Sequence, residues 1–479
     1  MKQLFVLLFF CIIQLSPAQP KPEIRAVWLT VNYGLDWPEK PFRNEKDIEI
    51  QKNELDRILD QLRETHINVV FFQTRIRGNV IYPSKIEPRS EYVKSTYATT
   101  DYDPLQYAVE ACRKRGIECH AWFVVYPMGK VRKTGNRLLK TYKKETYLDP
   151  GNPETNVYIL SLIKEIVSNY DIDGIHLDYI RYPDDAAGFP DGDTYRKYGY
   201  GKDKDDWRRE NVNRLVYAVY DTVKSLKPWV QVSSSVVGMY KKIEGENRRH
   251  WTAYYSVFQD PGDWLQKGKQ DFIVPMTYYS GMFFYPYVRD WVSRSGGRFI
   301  VPGLGAFRMD QNESRWEPNV LYDQLNFSRE AGTQGNAFFR AAYLVNNTKG
   351  FGEELRSRFY DTPALLPPLT RLSQKIPSPP LDLSAHADDD SFLRLEWDIA
   401  REKDGGQVFY NLYRSDTLPG DTQNPENLIA VRLPDNYYRL PIDNRIESGC
   451  YYVVTAYDRY HNESIGSFPV YFVTGAFEK

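Results

Sequence analysis

A (β/α)8 barrel followed by a small all-β sandwich is the fold this sequence predicts, on two observations. From residue 22 to 360, short apolar strand candidates alternate with amphipathic helical stretches. After a Pro-rich, non-periodic stretch at 361–380, which reads as a semi-rigid linker, closely spaced β segments run through residue 475.

The strand candidates are, in order, "AVWLTV" (26–31), "VVFFQT" (69–74), "HAWFVV" (120–125), "GIHLDYI" (174–180), "VQVSSSV" (230–236), "FIVPMTY" (272–278), "FIVPGLG" (299–305) and "AFFRAAYL" (337–344). They are mostly apolar and rich in β-branched or aromatic residues, as strands buried on both faces of a parallel sheet should be. Between them the period changes to that of a helix. In "EIQKNELDRILDQLRET", Ile50, Leu55, Ile58, Leu59 and Leu62 recur on one face. In "PETNVYILSLIKEIVSNY", Val157, Leu160, Ile163, Ile166 and Val167 do the same, with Pro153 near the helix start. An open doubly wound sheet is the alternative, but "LTVNYGLDW" after the first strand has a single Gly and no phosphate loop.

Flanking this body, "MKQLFVLLFFCIIQLSPAQP" has a Lys, a short apolar run and Ser16-Pro17-Ala18. That pattern predicts a secretory signal peptide over residues 1–18, hence an exported protein, periplasmic or extracellular. The run is too short to span a bilayer, so no transmembrane segment is expected after cleavage. Cys112, Cys119 and Cys450 then remain, an odd number without metal-ligand spacing. Cys112 and Cys119 could bridge, but buried free thiols are the plainer expectation. Lys+Arg 62 against Asp+Glu 63 leaves a net charge of -1, with no basic stripe for nucleic acid or anionic lipid. The 15% aromatic content, with 37 Tyr and 10 Trp, suits a glycan cleft, because aromatic faces stack on sugar C–H surfaces; Tyr-rich packing accounts for it as well.

Barrel enzymes carry their chemistry at the C-terminal ends of the strands. In "DIDGIHLDYIRYP" (171–183), Ile175, Leu177 and Tyr179 alternate with His176, Asp178 and Ile180. With the first set facing the helices, Asp178 points into the barrel at its top layer and His176 lies one layer below. A carboxylate at a buried strand end is costly unless it is used or paired, and Arg181 is the obvious structural partner. By the same parity, strand two brings Gln73 and Arg75 inward, and strand one Trp28, Thr30 and Asn32. Strand three brings Trp122 and Tyr126, strand six Met276 and Tyr278, and strand eight Arg340. Packing explains Trp28, Trp122 and Met276 equally well, and His176 suits a satisfied interior histidine. The six histidines lack metal-ligand spacing and no G-x-S-x-G occurs. Neither metal nor cofactor is expected.

With these segments in hand, "RAVWLT", "LDPGNPET" (148–155) and "DGIHLDYIRYP" (173–183) together resemble the glycosyl hydrolase-like family 10 of bacterial exported proteins. The resemblance covers about residues 23 to 360. It implies hydrolysis of glycosidic bonds in an envelope or extracellular polysaccharide, with peptidoglycan glycan strands one candidate substrate. It places function at Asp178, flanked by Tyr179, Arg181 and Tyr182. The same motif is similar, more distantly, to strand four of family 18 chitinases. There Asp173 and Asp178 match, while His176 replaces an Asp and Ile180 the catalytic Glu. Glycoside hydrolysis needs a second carboxyl group about 5–5.5 Å or 6.5–9.5 Å from the first. The candidates are Asp149, Glu313, Asp36, Asp184 and Asp185; an Asp placed like Asp149 just before a helix is commonly a cap. Without such a partner, the alternative is a non-catalytic glycan-binding protein using the same cleft. In the C-terminal part, Trp397 and the paired tyrosines of "YYVVTAYDRYHNES" resemble a fibronectin type III sandwich, with Tyr451 or Tyr452 at its tyrosine corner.

Overall fold

The computed structural model describes residues 22–93, 102–129, 136–244, 251–389, 391–401, 406–418 and 420–474; the signal peptide expected over 1–18 lies outside the described residues. Eight parallel strands form a closed ring. They are β1 (Ile24–Leu29), β2 (Val69–Ile76), β3 (Glu118–Val124), β4 (Gly174–Asp178), β5 (Gln231–Val237), β6 (Phe272–Met276), β7 (Phe299–Ile300 and Gly303–Leu304) and β8 (Gly335–Phe338). Each pairs with the next, and β1 pairs with both β2 and β8.

Helices return the chain on the outside, among them α1 (Glu45–Glu64), α2 (Pro104–Lys114), α3 (Pro153–Asn169), α4 (Lys204–Leu226), α5 (Pro261–Gln266), α6 (Tyr285–Ser293), α7 (Asn319–Glu330) and α8 (Ala341–Val345). The side chains of Asn44, Asp103, Asn152 and Asp203 accept backbone N–H groups at the starts of α1 to α4, satisfying donors a helix leaves unpaired. Strand alternation divides the core in two. Ile175 and Leu177 join Leu55, Leu59, Ile163 and Ile166 between strands and helices, while Trp28, Phe71, Trp122 and Phe272 fill the barrel.

Some predicted elements change at their ends. "AFFRAAYL" is not one strand: β8 stops at Phe338 and Ala341–Val345 is helical, as the good helix former Ala favours. The seventh strand is broken around Val301-Pro302, where proline offers no ladder N–H. Ile50 and Val157 face solvent, and Ile48 and Ile159 hold the buried positions instead. Closure depends on Gly335, whose φ of 144° leaves no room for a side chain: a Cβ there would sit 1.9 Å from the Ile24 carbonyl oxygen.

The chain then crosses under the barrel, with Leu365, Leu366 and Leu369 buried in the 361–380 stretch. Seven strands follow: β9 (Ser384–Asp389), β10 (Phe392–Glu396), β11 (Phe409–Ser415), β12 (Leu428–Leu433), β13 (Tyr437–Pro441), β14 (Cys450–Tyr457) and β15 (Val470–Phe472). They form two antiparallel sheets, β9–β10–β13 and β12–β11–β14–β15, around Leu393, Trp397, Leu412 and Tyr452. This module closes the N-terminal end of the barrel. Arg432 donates to Asp173 at 2.5 Å, and His461 bonds Glu118 at 2.8 Å and the Pro367 carbonyl at 3.0 Å. Cys112, Cys119 and Cys450 are buried free thiols.

Candidate active site

Strand β4 ends at Asp178 because Tyr179 turns into the left-handed region (φ 50°), uncommon for a residue with a Cβ. That turn aims the Tyr179 N–H back at Asp178 Oδ1, 2.7 Å away. From β3, the Trp122 indole N–H donates to Asp178 Oδ2 at 3.0 Å. Asp178 thus stands at the C-terminal rim, 7% exposed, with each oxygen fixed by a donor. Burial raises its carboxyl above the ordinary value, and the Tyr179 N–H, the Arg181 charge and the Trp122 N–H only partly oppose this. A carboxyl poised to hold its proton can protonate a leaving oxygen.

Around it stand aromatic walls. Phe339, just past β8, packs against Trp122 (6.5 Å), Tyr278 (6.0 Å) and Phe307 (5.8 Å). Arg308 lies over Phe307 and pairs with Glu313 at 3.4 Å. On the other side Arg181 lies between the rings of Tyr179 and Trp251, 4.7 and 5.3 Å from their centroids, and donates to Asp184 at 2.6 Å.

His176 lies a layer lower and is neutral. The Trp28 N–H donates to its Nε2 (3.1 Å), so Nδ1 carries the proton and donates to Ser233 Oγ at 2.8 Å. Its ring stacks on Phe71 at 3.9 Å, and burial with His120 nearby holds its pKa well below the usual range. Trp28 and His176 are therefore floor residues beneath the mouth.

The other residues picked from sequence separate into rim and frame. Tyr278 is half-buried at the rim and Asn32 lines a neighbouring cleft. Gln73 Oε1 accepts from Thr30 Oγ1 and from the Val31 and Asn32 N–H groups, anchoring the loop after β1. Arg75 does not follow the parity. The β2–β3 register shifts between Gln73 and Arg75, so Arg75 turns to Glu87 (2.6 Å) and the Val125 carbonyl (2.9 Å), fully buried. Tyr126 and Asp149 are buried away from the mouth, Asp149 accepting from Gly151 N and Thr194 Oγ1 as a turn residue would. Arg340, at the start of α8, pairs with buried Asp36 at 2.5 Å. Asp184, Asp185 and Glu313 are exposed on loops, each paired with a cation. Phe307, Arg308, Phe339 and Trp251 were not picked from the sequence. Parity could have found Phe339, two residues beyond interior Ala337; the others lie on loops with no periodic signal. Among the described residues no group of three or more His, Cys, Asp or Glu side chains is arranged to hold a metal ion.

Comparison with known proteins bears on the family and the fold. The family model "Glycosyl hydrolase-like 10" matches residues 23–293, from β1 through α6. "Glycosyl hydrolase YngK" of Bacillus subtilis (strain 168) is 30% identical over 490 residues, covering 95% of this chain and 94% of the relative. "Glycosyl hydrolase DigH" of Escherichia coli (strain K12) is 32% identical over 314 residues, 59% of this chain and 69% of the relative. Among solved structures, the PgaB glycoside hydrolase domain from Bordetella bronchiseptica shares the fold, with a TM-score of 0.51 at 15% identity over 70% of this chain and 99% of that one. On a family model spanning six of the eight strands, and a relative aligned over nearly its whole length, the chain belongs to the glycosyl hydrolase-like 10 family and is a glycosidase by class.

Proposed function

We propose that this glycosidase cleaves an envelope or extracellular polysaccharide, with Asp178 as the general acid and the glycan strands of peptidoglycan as a candidate substrate. The observation that carries it is the Asp178 carboxyl, buried at the barrel mouth, fixed by two N–H donors and raised in pKa. Tyr278, Phe307 and Phe339 supply apolar faces for a sugar ring, and Arg181 and Arg308 supply donors. The second carboxyl role falls to Glu313, Asp184 or Asp185, exposed carboxylates on the loops that carry Arg308 and Arg181. The N-terminal sequence supports export. The sheet orders β9–β10–β13 and β12–β11–β14–β15 support a fibronectin type III-like module at the C-terminus.

Replacing Asp178 by Asn should lower turnover of peptide-free glycan strands by roughly 10²–10⁴-fold, the range of general acid catalysis, with an unchanged circular dichroism spectrum. Wild-type rates in that variant, measured by release of reducing ends, would remove Asp178 from the mechanism. Glycan binding without turnover in the wild type would instead favour a binding protein using this cleft.

A further inference from the structure

Beside the mouth, a cleft of about 950 Å³ runs between the loops after β1 and β2 and the small antiparallel sheet that follows β3 (Pro127–Gly129, Leu139–Tyr142, Glu145–Leu148). The segments that line it follow β1, β2 and β3, at the C-terminal end of the barrel where Asp178 closes β4. Two residues that border it hold backbone conformations that side chains avoid. Tyr33, at φ 58°, is 66% exposed and stands in the same wall as Tyr92. Arg77, at φ 38°, precedes Gly78, at φ 80°, in the two-residue turn joining Ile76 to Asn79.

A tight hairpin of this kind needs positive φ at both central positions, and Asn, Asp or Gly usually fill them. An arginine there is locally unfavourable. Its guanidinium reaches over the cleft to Glu145 at 3.0 Å, and its charge acts on the Tyr179 hydroxyl beside Asp178. Tyr33, Arg77 and Tyr179 thus share an unusual backbone state along one rim, the pattern expected where strain is kept for a ligand. The charges that border the cleft nearly cancel. Arg77 and Arg89 face Glu91 and Glu145, while Glu87 is committed to Arg75 and Tyr158. A polyanion gains nothing here; a hydrogen-bonding chain with apolar ring faces does.

We infer that this cleft is the distal part of the substrate groove, holding several further sugar units of a glycan strand whose scissile bond lies at Asp178, with Arg77 nearest the reaction and Tyr33 a stacking platform farther along. It rests on the glycosidase reading above and adds that the enzyme engages long strands in preference to short ones.

Binding to the Asp178→Asn protein tests this apart from turnover, using chito-oligosaccharides and peptide-free peptidoglycan strands graded by length in calorimetry. Affinity should strengthen with length. Adding Tyr33→Ala or Arg77→Gly should cost roughly tenfold on long chains, about 1.4 kcal/mol, and nothing on the disaccharide. Arg77→Gly relaxes the turn, so its thermal midpoint should not fall, which separates a ligand role from a structural one. Affinity independent of length, equal losses on short and long chains, or no binding by either series overturns the groove. A wild-type protein that binds long strands but never cleaves them overturns the glycosidase mechanism and leaves the groove standing.

Discussion

At Asp178 two opposing influences meet. Burial disfavours the carboxylate, whereas the Tyr179 N–H, the Arg181 charge and the Trp122 N–H favour it. Trp122 can be tested without moving the backbone. Trp122→Phe keeps a ring against Phe339 but removes a donor to the ionised form, so the Asp178 carboxyl should rise further. A general acid works while protonated, so the basic limb of the kcat/KM profile should move to higher pH. A Trp122 that only packs would lower stability and leave that limb in place. Asp178 was legible because a charge closing an apolar strand has few structural excuses. Trp122 was legible as a rim residue but not as its donor, since only the β3–β4 pairing sets the indole beside the carboxyl. The Arg75 side chain was misread because a bulge leaves no mark in an alternating pattern.

Between elements, the Asp36–Arg340 pair ties the loop after β1 to α8 and so fixes one side of the rim. Asp36 also accepts the Thr30 and Ala342 N–H groups at 2.8 and 3.0 Å. Burial raises its carboxyl despite Arg340, so its ionised form is held in the fold against a desolvation cost. Arg340→Ala should therefore destabilise by about 3–5 kcal/mol near neutral pH, as an unpaired buried charge does. The raised value means the fold favours protonated Asp36, and acid should relieve part of the loss. Urea unfolding at neutral and acid pH checks both, and a penalty independent of pH would mean that Asp36 is not the group left stranded. At this scale the order and kind of the barrel elements could be read from period alone. The breaks were less plain: Pro302 marks the division of the seventh strand, whereas the helical turn after Phe338 falls within "AFFRAAYL", whose composition suits either state.

For the whole molecule, the decisive contacts join residues far apart in sequence. Arg432 and His461 project from the C-terminal module into the barrel's lower end and meet Asp173 and Glu118. Glu118 also accepts from His120 and Gln231. Burial alone would raise the Glu118 carboxyl; the charges of His461 and Arg432 overcome it and hold the group well below the ordinary range. A depressed carboxyl stabilises the fold above its unfolded-state value, and that contribution fades as pH falls through the lowered folded-state value. Glu118→Gln should cost about 3–5 kcal/mol at neutral pH and flatten the acid side of the stability profile. Loss of stability without that flattening would mean the site acts by shape and not by charge. None of this could be seen in the sequence, where Arg432 and His461 look like ordinary surface residues and the 361–380 stretch reads as a semi-rigid linker.

Roughly three hundred residues separate Ile24 from Gly335, which it finally lies against, so sealing the ring is the most remote pairing between strands of the barrel. Until then one flank of β1 offers bare amides and carbonyls to any extended segment nearby. The missing side chain at 335 lets the last strand arrive without obstruction and end that exposure. It matters to the nascent polypeptide's escape from clumping as much as to the finished enzyme.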